Sequence, residues 1–587
     1  MIGAALALFA GALALPAASH AATPAEDLPS TKDASPKTPN ARWRSGKAVE
    51  NIQRALSDMG LYLGPIDGHL SDETRAAIRI YQKDAGLTVN GKVTRKLWDL
   101  LNNTVKVRQL LRRLELARKS GRDVARQALL SHPATRDLVD IPNNERADPT
   151  RNAEKCFDQP TVRCLLREAT ESSKAVFRPE LRDWALGEIL VAEARAGLTE
   201  QAMQTVRRIR DPRLIMVALR DIAEAEAAAG SAEDAIAAAD IIPEREKRAD
   251  ALAAIAEIQI RRKDTDAARN TTAKLLVELE KMLSPLKRIA LRSRAAVIIA
   301  QAGDTDAAAR QMTAAEYEAR DKLDGIEQGM ALGYVASALA KMSSPGKAMA
   351  LLGDITSPSE RTSVLVSTAE AQVRAGDAAA ALATADSIEK VRFKAAVLGR
   401  IAQTQAERGE QGDAELTIQL ALAAIEKIKS AYARSFAISR VALAMASLTD
   451  TAMRGDADKA PFTYAKAAET AGKIDDSRLR AQTLWAIAAV RKAANDTEGS
   501  LETEHEAEAA TNAIVSRLSR VWMFGEIALS HARHGHQDAA EAAFKRGLEA
   551  ARTLENAWGR SRAMARLATT LVEVAAPQPA RIIGEPD

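Results

Sequence analysis

The chain has 587 residues, a formal net charge of +4 and 47% hydrophobic residues, with aromatics at only 3%. Alanine dominates the apolar content, which favours closely packed helices over sheets built from aromatic and β-branched residues. Lys+Arg 82 against Asp+Glu 78 argues against nucleic acid as a partner, and two cysteines with seven histidines leave little for metal or thiol chemistry.

Ala4 to Leu15 is an apolar run, shorter than the roughly 20 residues a membrane-spanning helix needs. Pro16 breaks it, and Ser19-His20-Ala21 places small residues at the two positions a signal peptidase reads. Residues 1–21 are therefore expected to be a secretory signal cleaved after Ala21, which places the mature chain in the periplasm, although no Lys or Arg precedes the run. No later segment reaches ~18 unbroken apolar residues, so no stable membrane insertion is expected. Residues 22–47, rich in Pro, Ser, Thr, Lys and Asp, read as a disordered linker. Cys156 and Cys164, with seven residues between them, read as a disulfide in an exported chain. So short a loop is worth ~2–3 kcal/mol. The alternative, a single nucleophilic cysteine, would need a base, and no histidine is close in sequence.

Three short helical patterns fill residues 48–101. Val49, Ile52, Leu56 and Met59 share one helix face; Thr74, Ala77, Ile78 and Tyr81 share another; Val93, Leu97 and Leu101 a third. Between the first two stand the turn dipeptides Gly64-Pro65 and Asp67-Gly68, Ser71 is placed to cap the second helix, and Gly86 to end it.

This stretch resembles the peptidoglycan-binding domain often appended to bacterial cell-wall hydrolases. The matching residues are Ile52-Gln53, Leu56, Gly60, Tyr62, Gly64-Pro65-Ile66-Asp67-Gly68, Thr74, Ala77-Ile78, Tyr81-Gln82, Gly86-Leu87, Gly91, Val93 and Leu97-Trp98. Departures are His69-Leu70-Ser71, where the family has an aromatic and a glycine, Tyr81-Gln82 for Phe-Gln, and Asn90 for the Asp before the second turn glycine. The resemblance implies peptidoglycan as a partner, with Asp67, His69, Asp72 and Arg75 on the exposed turn as candidate contacts. The bland alternative is that Asp67 only satisfies turn amides and His69 is simply solvated.

From 155 to 575 a small-residue turn recurs with alanines downstream: ARAGLTEQAM at Ala194, AAAGSAEDAI at Ala227, AQAGDTDAAAR at Ala300, VRAGDAAAAL at Val373, AERGEQGDAEL at Ala406, MRGDADKA at Met453 and ARHGHQDAAEAAF at Ala532. Looser copies are RRKDTDAAR at Arg261 and AANDTEGSL at Ala493. Ala202, Ala235, Ala308, Ala381 and Ala540 follow the turn glycine at one spacing, and Ala223, Ala296, Ala369 and Ala528 precede it at another. Small residues there let antiparallel helices approach to about 8 Å. The pattern resembles degenerate tetratricopeptide-like repeats and implies an all-α chain, a three-helix module followed by a solenoid of about ten or eleven helical pairs. The stack would offer a concave surface to a protein partner. Arg182, Arg213, Arg248, Arg361, Arg392, Arg434, Arg480 and Arg520 recur near the starts of first helices. They either line a groove for acidic partners or pair with carboxylates of the stack. Residues 105–133 read as one further helical pair, 134–154 as a linker, and 576–587 as a disordered tail.

Enzymes bearing such a wall module carry an L,D-transpeptidase, amidase or transglycosylase. Neither cysteine has a Ser-His-Gly-Cys setting, and Ser284-Pro-Leu-Lys287 has no accompanying Lys-Thr-Gly. His531, His534 and His536 match the repeat turn better than a zinc site, so no metal or other cofactor is expected. The expectation is a non-catalytic periplasmic scaffold holding peptidoglycan through the module and a protein through the solenoid. The alternatives are a wall hydrolase with unrecognised catalytic residues, or a protein-binding chain whose module is only structural.

Overall fold

The computed structural model describes residues 46–139, 141, 145–455, 462–533 and 535–577. The expected signal, the linker up to residue 45, Pro142, the residues following the Met453 turn, His534 and the tail from residue 578 lie outside them. Among the described residues there are twenty-six α-helices and no strand, and no helix is long and apolar enough to cross a membrane. They divide into two compact units at Val124/Ala125.

The smaller unit holds α1 (Gly46–Asp58), α2 (Asp72–Asp84) and the first part of α3 (Arg95–Ser131). Its core is Ile52, Leu56, Tyr62, Ala77, Ile78, Tyr81, Leu97 and Leu101, the faces expected from periodicity. Ser71 caps α2, its Oγ accepting from the Thr74 amide. The helical pair expected over 105–133 is instead a continuation of α3, a single helix of 37 residues. Pro133 is the first residue after Arg95 that a helix interior does not tolerate, and the lone Gly121 costs only about 1 kcal/mol. Within the expected linker, Arg136–Leu138 forms a 3-10 turn, and Leu138 and Val139 enter the core of the larger unit. There α4 (Glu154–Asp158) is tied to the following helix by the Cys156–Cys164 disulfide, with Cα atoms 5.7 Å apart.

In the larger unit ten helical pairs follow in chain order. They are α6 (Pro179–Arg195) with α7 (Thr199–Val206), α8 (Pro212–Ala229) with α9 (Ala232–Asp240), α10 (Arg245–Arg261) with α11 (Thr265–Glu280), α12 (Pro285–Gln301) with α13 (Thr305–Lys322), and α14 (Gly325–Lys341) with α15 (Pro345–Ala350). They continue as α16 (Pro358–Ala375) with α17 (Ala378–Asp386), α18 (Val391–Glu407) with α19 (Gln411–Ile425), α20 (Ala431–Gly455) with α21 (Tyr464–Gly472), α22 (Ser477–Ala493) with α23 (Thr497–Asn512), and α24 (Arg517–Arg533) with α25 (Gln537–Arg552). The eleventh pair joins the two ends of the unit: α26 (Ala557–Ala575) packs against α5 (Val162–Lys174).

The alanine register explains the close packing. Ala202, Ala235, Ala308, Ala381 and Ala540 after the turn, and Ala223, Ala296, Ala369 and Ala528 before it, are all 0% exposed. The turn residue is left-handed. Gly197, Gly230, Gly303, Gly376, Gly409 and Gly535 have φ between 70° and 98°, and Lys263 and Asn495 of the looser copies make the same turn at 64° and 63°. The opposite turn, between an outer helix and the next inner one, buries an aliphatic side chain in most pairs, such as Ile209, Ile242, Ile355, Ile388, Ile428, Ile474 and Ile514.

The first helix of each pair packs on the first helix of the next, and α26 packs on α6, so the stack of repeats closes into a ring. The second helices barely touch one another, which puts them on the longer, outer circumference. Eleven inner helices at 8–10 Å spacing enclose an opening of roughly 20 Å between helix surfaces. The open concave groove expected of a solenoid is thereby replaced by a lumen, an outer face and two rims.

The closure is held by Arg562 of α26, only 6% exposed. Its guanidinium lies 4.6 Å from the rings of both Trp184 and Trp558 and 5.1 Å from that of Trp522, and its Nε donates to Glu188 of α6 at 2.7 Å. Trp184 and Trp558 meet edge to face at 5.6 Å. Ser561 Oγ donates to the Ala169 carbonyl of α5 at 2.8 Å, and Arg195 of α6 pairs with Glu573 of α26. Removing one partner of a buried pair strands the other charge. Arg562→Ala is therefore expected to cost about 3 kcal/mol and to lower hydrogen-exchange protection together in α5, α6 and α26. Loss confined to α26 would contradict the closure.

Burial of Glu193, beneath the α6–α7 turn, pushes its carboxyl up from 4.5 to about 7 against the bond it accepts from Thr205 Oγ1 at 2.8 Å. A raised carboxyl favours folding below the unfolded value and loses that contribution as pH climbs through the folded one. The thermal midpoint is expected to fall between pH 4.5 and 7, and Glu193→Gln to flatten that fall in melts across the window; an unchanged slope would contradict it.

Candidate functional site

The turn face of the small unit is organised by one buried amide. Gln53 of α1 is 0% exposed. Its Oε1 accepts from the amides of Asp67 and Gly68 at 3.1 and 2.8 Å. Its Nε2 donates to Asp67 Oδ1 and to the His69 carbonyl, both at 3.0 Å, and to Thr74 Oγ1 at 3.2 Å. Gln82 of α2 repeats the device: its Oε1 accepts from the amides of Asn90 and Gly91, both at 2.9 Å, and its Nε2 donates to Asn90 Oδ1 at 3.0 Å. Asp67 Oδ1 and Asn90 Oδ1 each accept the amide two residues on, from His69 and Lys92. The Asn90 departure is thus neutral to the turn, because an amide oxygen serves as well as a carboxylate. Gly68 is required twice over: φ is +75°, and a Cβ there would lie 2.4 Å from the Gly46 carbonyl oxygen.

Of the four candidate contacts, Asp67 is a turn organiser, its carboxyl held below the usual range by the His69 amide and by Gln53. Asp72 opens α2 and is exposed, Arg75 lies one turn on and is half-buried, and His69 presents an exposed imidazole. Leu63, 98% exposed, and Ile66, 41% exposed, stand on the same loop. Sequence reasoning placed all four residues around one turn but missed these two apolar neighbours, whose only signal was their position between Gly60 and Asp67.

In the larger unit the recurrent arginines serve the fold. Arg248, Arg361 and Arg480 donate to the carbonyls of Ile242, Ile355 and Ile474, in the turn that precedes their own helix. Arg288 and Arg560, which the sequence reading passed over, do the same to Met282 and Leu554, and Gln328 does so to Leu323. Arg213 pairs with Asp211 and Arg434 with Asp475, while Arg392 lies over the ring of Phe393. Arg182 and Arg520 occupy the corresponding place in α6 and α24. Ser284 caps α12 through the Lys287 amide, and Lys287 pairs with Glu246. His531 and His536 lie with ring centroids 6.2 Å apart beside the Gly535 turn. Along the inner helices runs a belt of alternating charges. Glu526–Arg566 spans α24 to α26, and Arg220–Asp250, Asp250–Arg294 and Arg294–Glu257 link α8, α10 and α12. Burial and the neighbouring Glu224 push Asp221 up to about 7.

Removing Gln53 leaves several turn groups without a partner inside the unit. Gln53→Ala is expected to cost at least about 2 kcal/mol and to lower amide protection over α1 and α2 while the ring keeps its own. Equal loss in both units would contradict this.

Residues 45–101 match the model of the family described as "Putative peptidoglycan binding domain". No curated protein matches the chain. Among solved structures, Ton1535 from Thermococcus onnurineus NA1 is similar at 16% identity with a TM-score of 0.27, over 57% of this chain and 97% of that one. A circular tandem repeat protein with novel repeat topology and enhanced subunit contact surfaces is similar at 13% identity with a TM-score of 0.14, over 90% and 96%. The N-terminal unit is therefore a domain of the peptidoglycan-binding type, and the rest of the described chain is a helical-repeat array.

Proposed function

We propose that the chain is an exported, periplasmic, non-catalytic scaffold. The N-terminal domain holds the peptidoglycan layer, and the ring of repeats holds a protein partner on one of its surfaces. The observation that carries the reading is the family match over residues 45–101, on a unit whose buried Gln53 and Gln82 hold two turns rigid against solvent. Rigid turns keep the entropy cost of ordering low when a glycan or stem peptide binds. The charged side chains of the ring support a structural part for it, because so many cap turns or bridge inner helices. A protein partner has the rims and the outer face open to it, with the closed lumen as a third surface.

Full-length protein is expected to co-sediment with purified sacculi and to leave them undigested on a zymogram. A cleared band would favour the hydrolase reading. His69→Ala with Arg75→Ala removes two polar contacts without touching the Gln53 hub. Retention on sacculi should fall by about fivefold or more, the effect of roughly 1 kcal/mol. Unchanged retention would move the binding surface away from this turn.

A further inference from the structure

We infer that the exposed stretch of α3 from Lys106 to Arg122 is a docking surface for an anionic phospholipid bilayer. Val107, Leu110, Leu111 and Leu114 repeat at helical spacing and are 56%, 56%, 53% and 45% exposed. No described element covers them. On a helix of 100° per residue these four fall within one narrow arc, with Gly121 on the same line. Lys106 and Arg113 border one side of the arc and Arg122 the other, while Arg118 falls on the arc itself, one turn beyond Leu114.

Charge selects the occupant. Between Lys106 and Arg122 stand seven basic residues against Glu115 alone, in a chain whose whole net charge is +4. Among the described residues none of the seven takes part in a salt bridge, whereas Arg248, Arg294 and Arg562 of the ring do. A second copy of this helix would bring two like-charged rims together, which opposes self-pairing. A carbohydrate offers the apolar ridge nothing. A bilayer rich in anionic headgroups satisfies both features at once: the ridge enters the acyl boundary while the basic rim meets phosphates. The helix lies on such a surface and does not span it, since seven basic side chains stand within the stretch.

The test uses the chain as processed after Ala21, so that the apolar run at Ala4 to Leu15 does not contribute. Flotation with phosphatidylcholine vesicles carrying about 40 mol % phosphatidylglycerol is expected to bind the protein at least about tenfold more tightly than pure phosphatidylcholine vesicles. Raising salt from about 0.1 to about 0.5 M should weaken binding by a similar factor. Leu111→Gln with Leu114→Gln, and separately Arg113→Glu with Arg118→Glu, should each lose about tenfold or more. These side chains are exposed or on the polar rim, so the circular dichroism of both variants should match the parent. Indifference to lipid charge, no binding, or variants that bind like the parent would overturn the inference. So would concentration-dependent dimerisation abolished by the Leu→Gln pair, which would assign the ridge to a second copy. Retention on sacculi tests the turn at Asp67 to Arg75 and is independent of these outcomes.

Discussion

Arg562 sits among Trp184, Trp522 and Trp558 with its charge answered by Glu188, and the ring depends on that cluster. An open stack of repeats has two ends, each exposing an apolar helix face that needs a polar capping repeat. Here α5 supplies the outer helix that α26 lacks, so the last pair is assembled from opposite ends of the unit. The aromatic faces stabilise the cation, and the desolvated pair with Glu188 makes the correct seam distinguishable from other apolar contacts. Arg195, Arg566, Glu526 and Glu573 extend the charged seam along the same inner helices.

Closure changes what the repeats can do. A solenoid flexes and wraps a peptide in its groove; a ring holds a fixed circumference, and on its inner helices charges pair with one another across α8, α10 and α12 and across α24, α26 and α6. Arg248, Arg288, Arg361, Arg480 and Arg560, each at the fourth position of its inner helix, cap the preceding turn, which draws several of the most obvious candidate ligand-binding residues into the fold. The N-terminal domain follows the same economy on a smaller scale, with Gln53 and Gln82 each closing one Asx-Gly turn.

Much of this was legible in the sequence because it is local. Helix faces in residues 48–101 follow from periodicity, and Ala381 and its counterparts mark helix crossings because only a small side chain fits there. Lys263 and Asn495 were readable as looser turns, since the left-handed position accepts them at a modest steric cost. The ring was not legible, because Trp184 and Trp558 are hundreds of residues apart and nothing in their neighbourhoods says that they meet. The arginines were read as a possible groove because a carbonyl acceptor leaves no trace in sequence, whereas a carboxylate does. The unbroken α3 was missed for a different reason: the chain changes there from packed helix to exposed helix without any turn residue to mark the change.

The closed ring is tested most directly by a distance between its two ends. Asp158 in α4 and Arg552 at the end of α25 are in contact at 2.9 Å although 394 residues apart. The native cysteines are engaged with each other, so cysteines placed at these two sites can carry spin labels. A closed ring gives a narrow distribution under about 20 Å, as for groups on packed helices. A broad distribution centred beyond about 40 Å, as for the ends of an open stack of repeats, would contradict it.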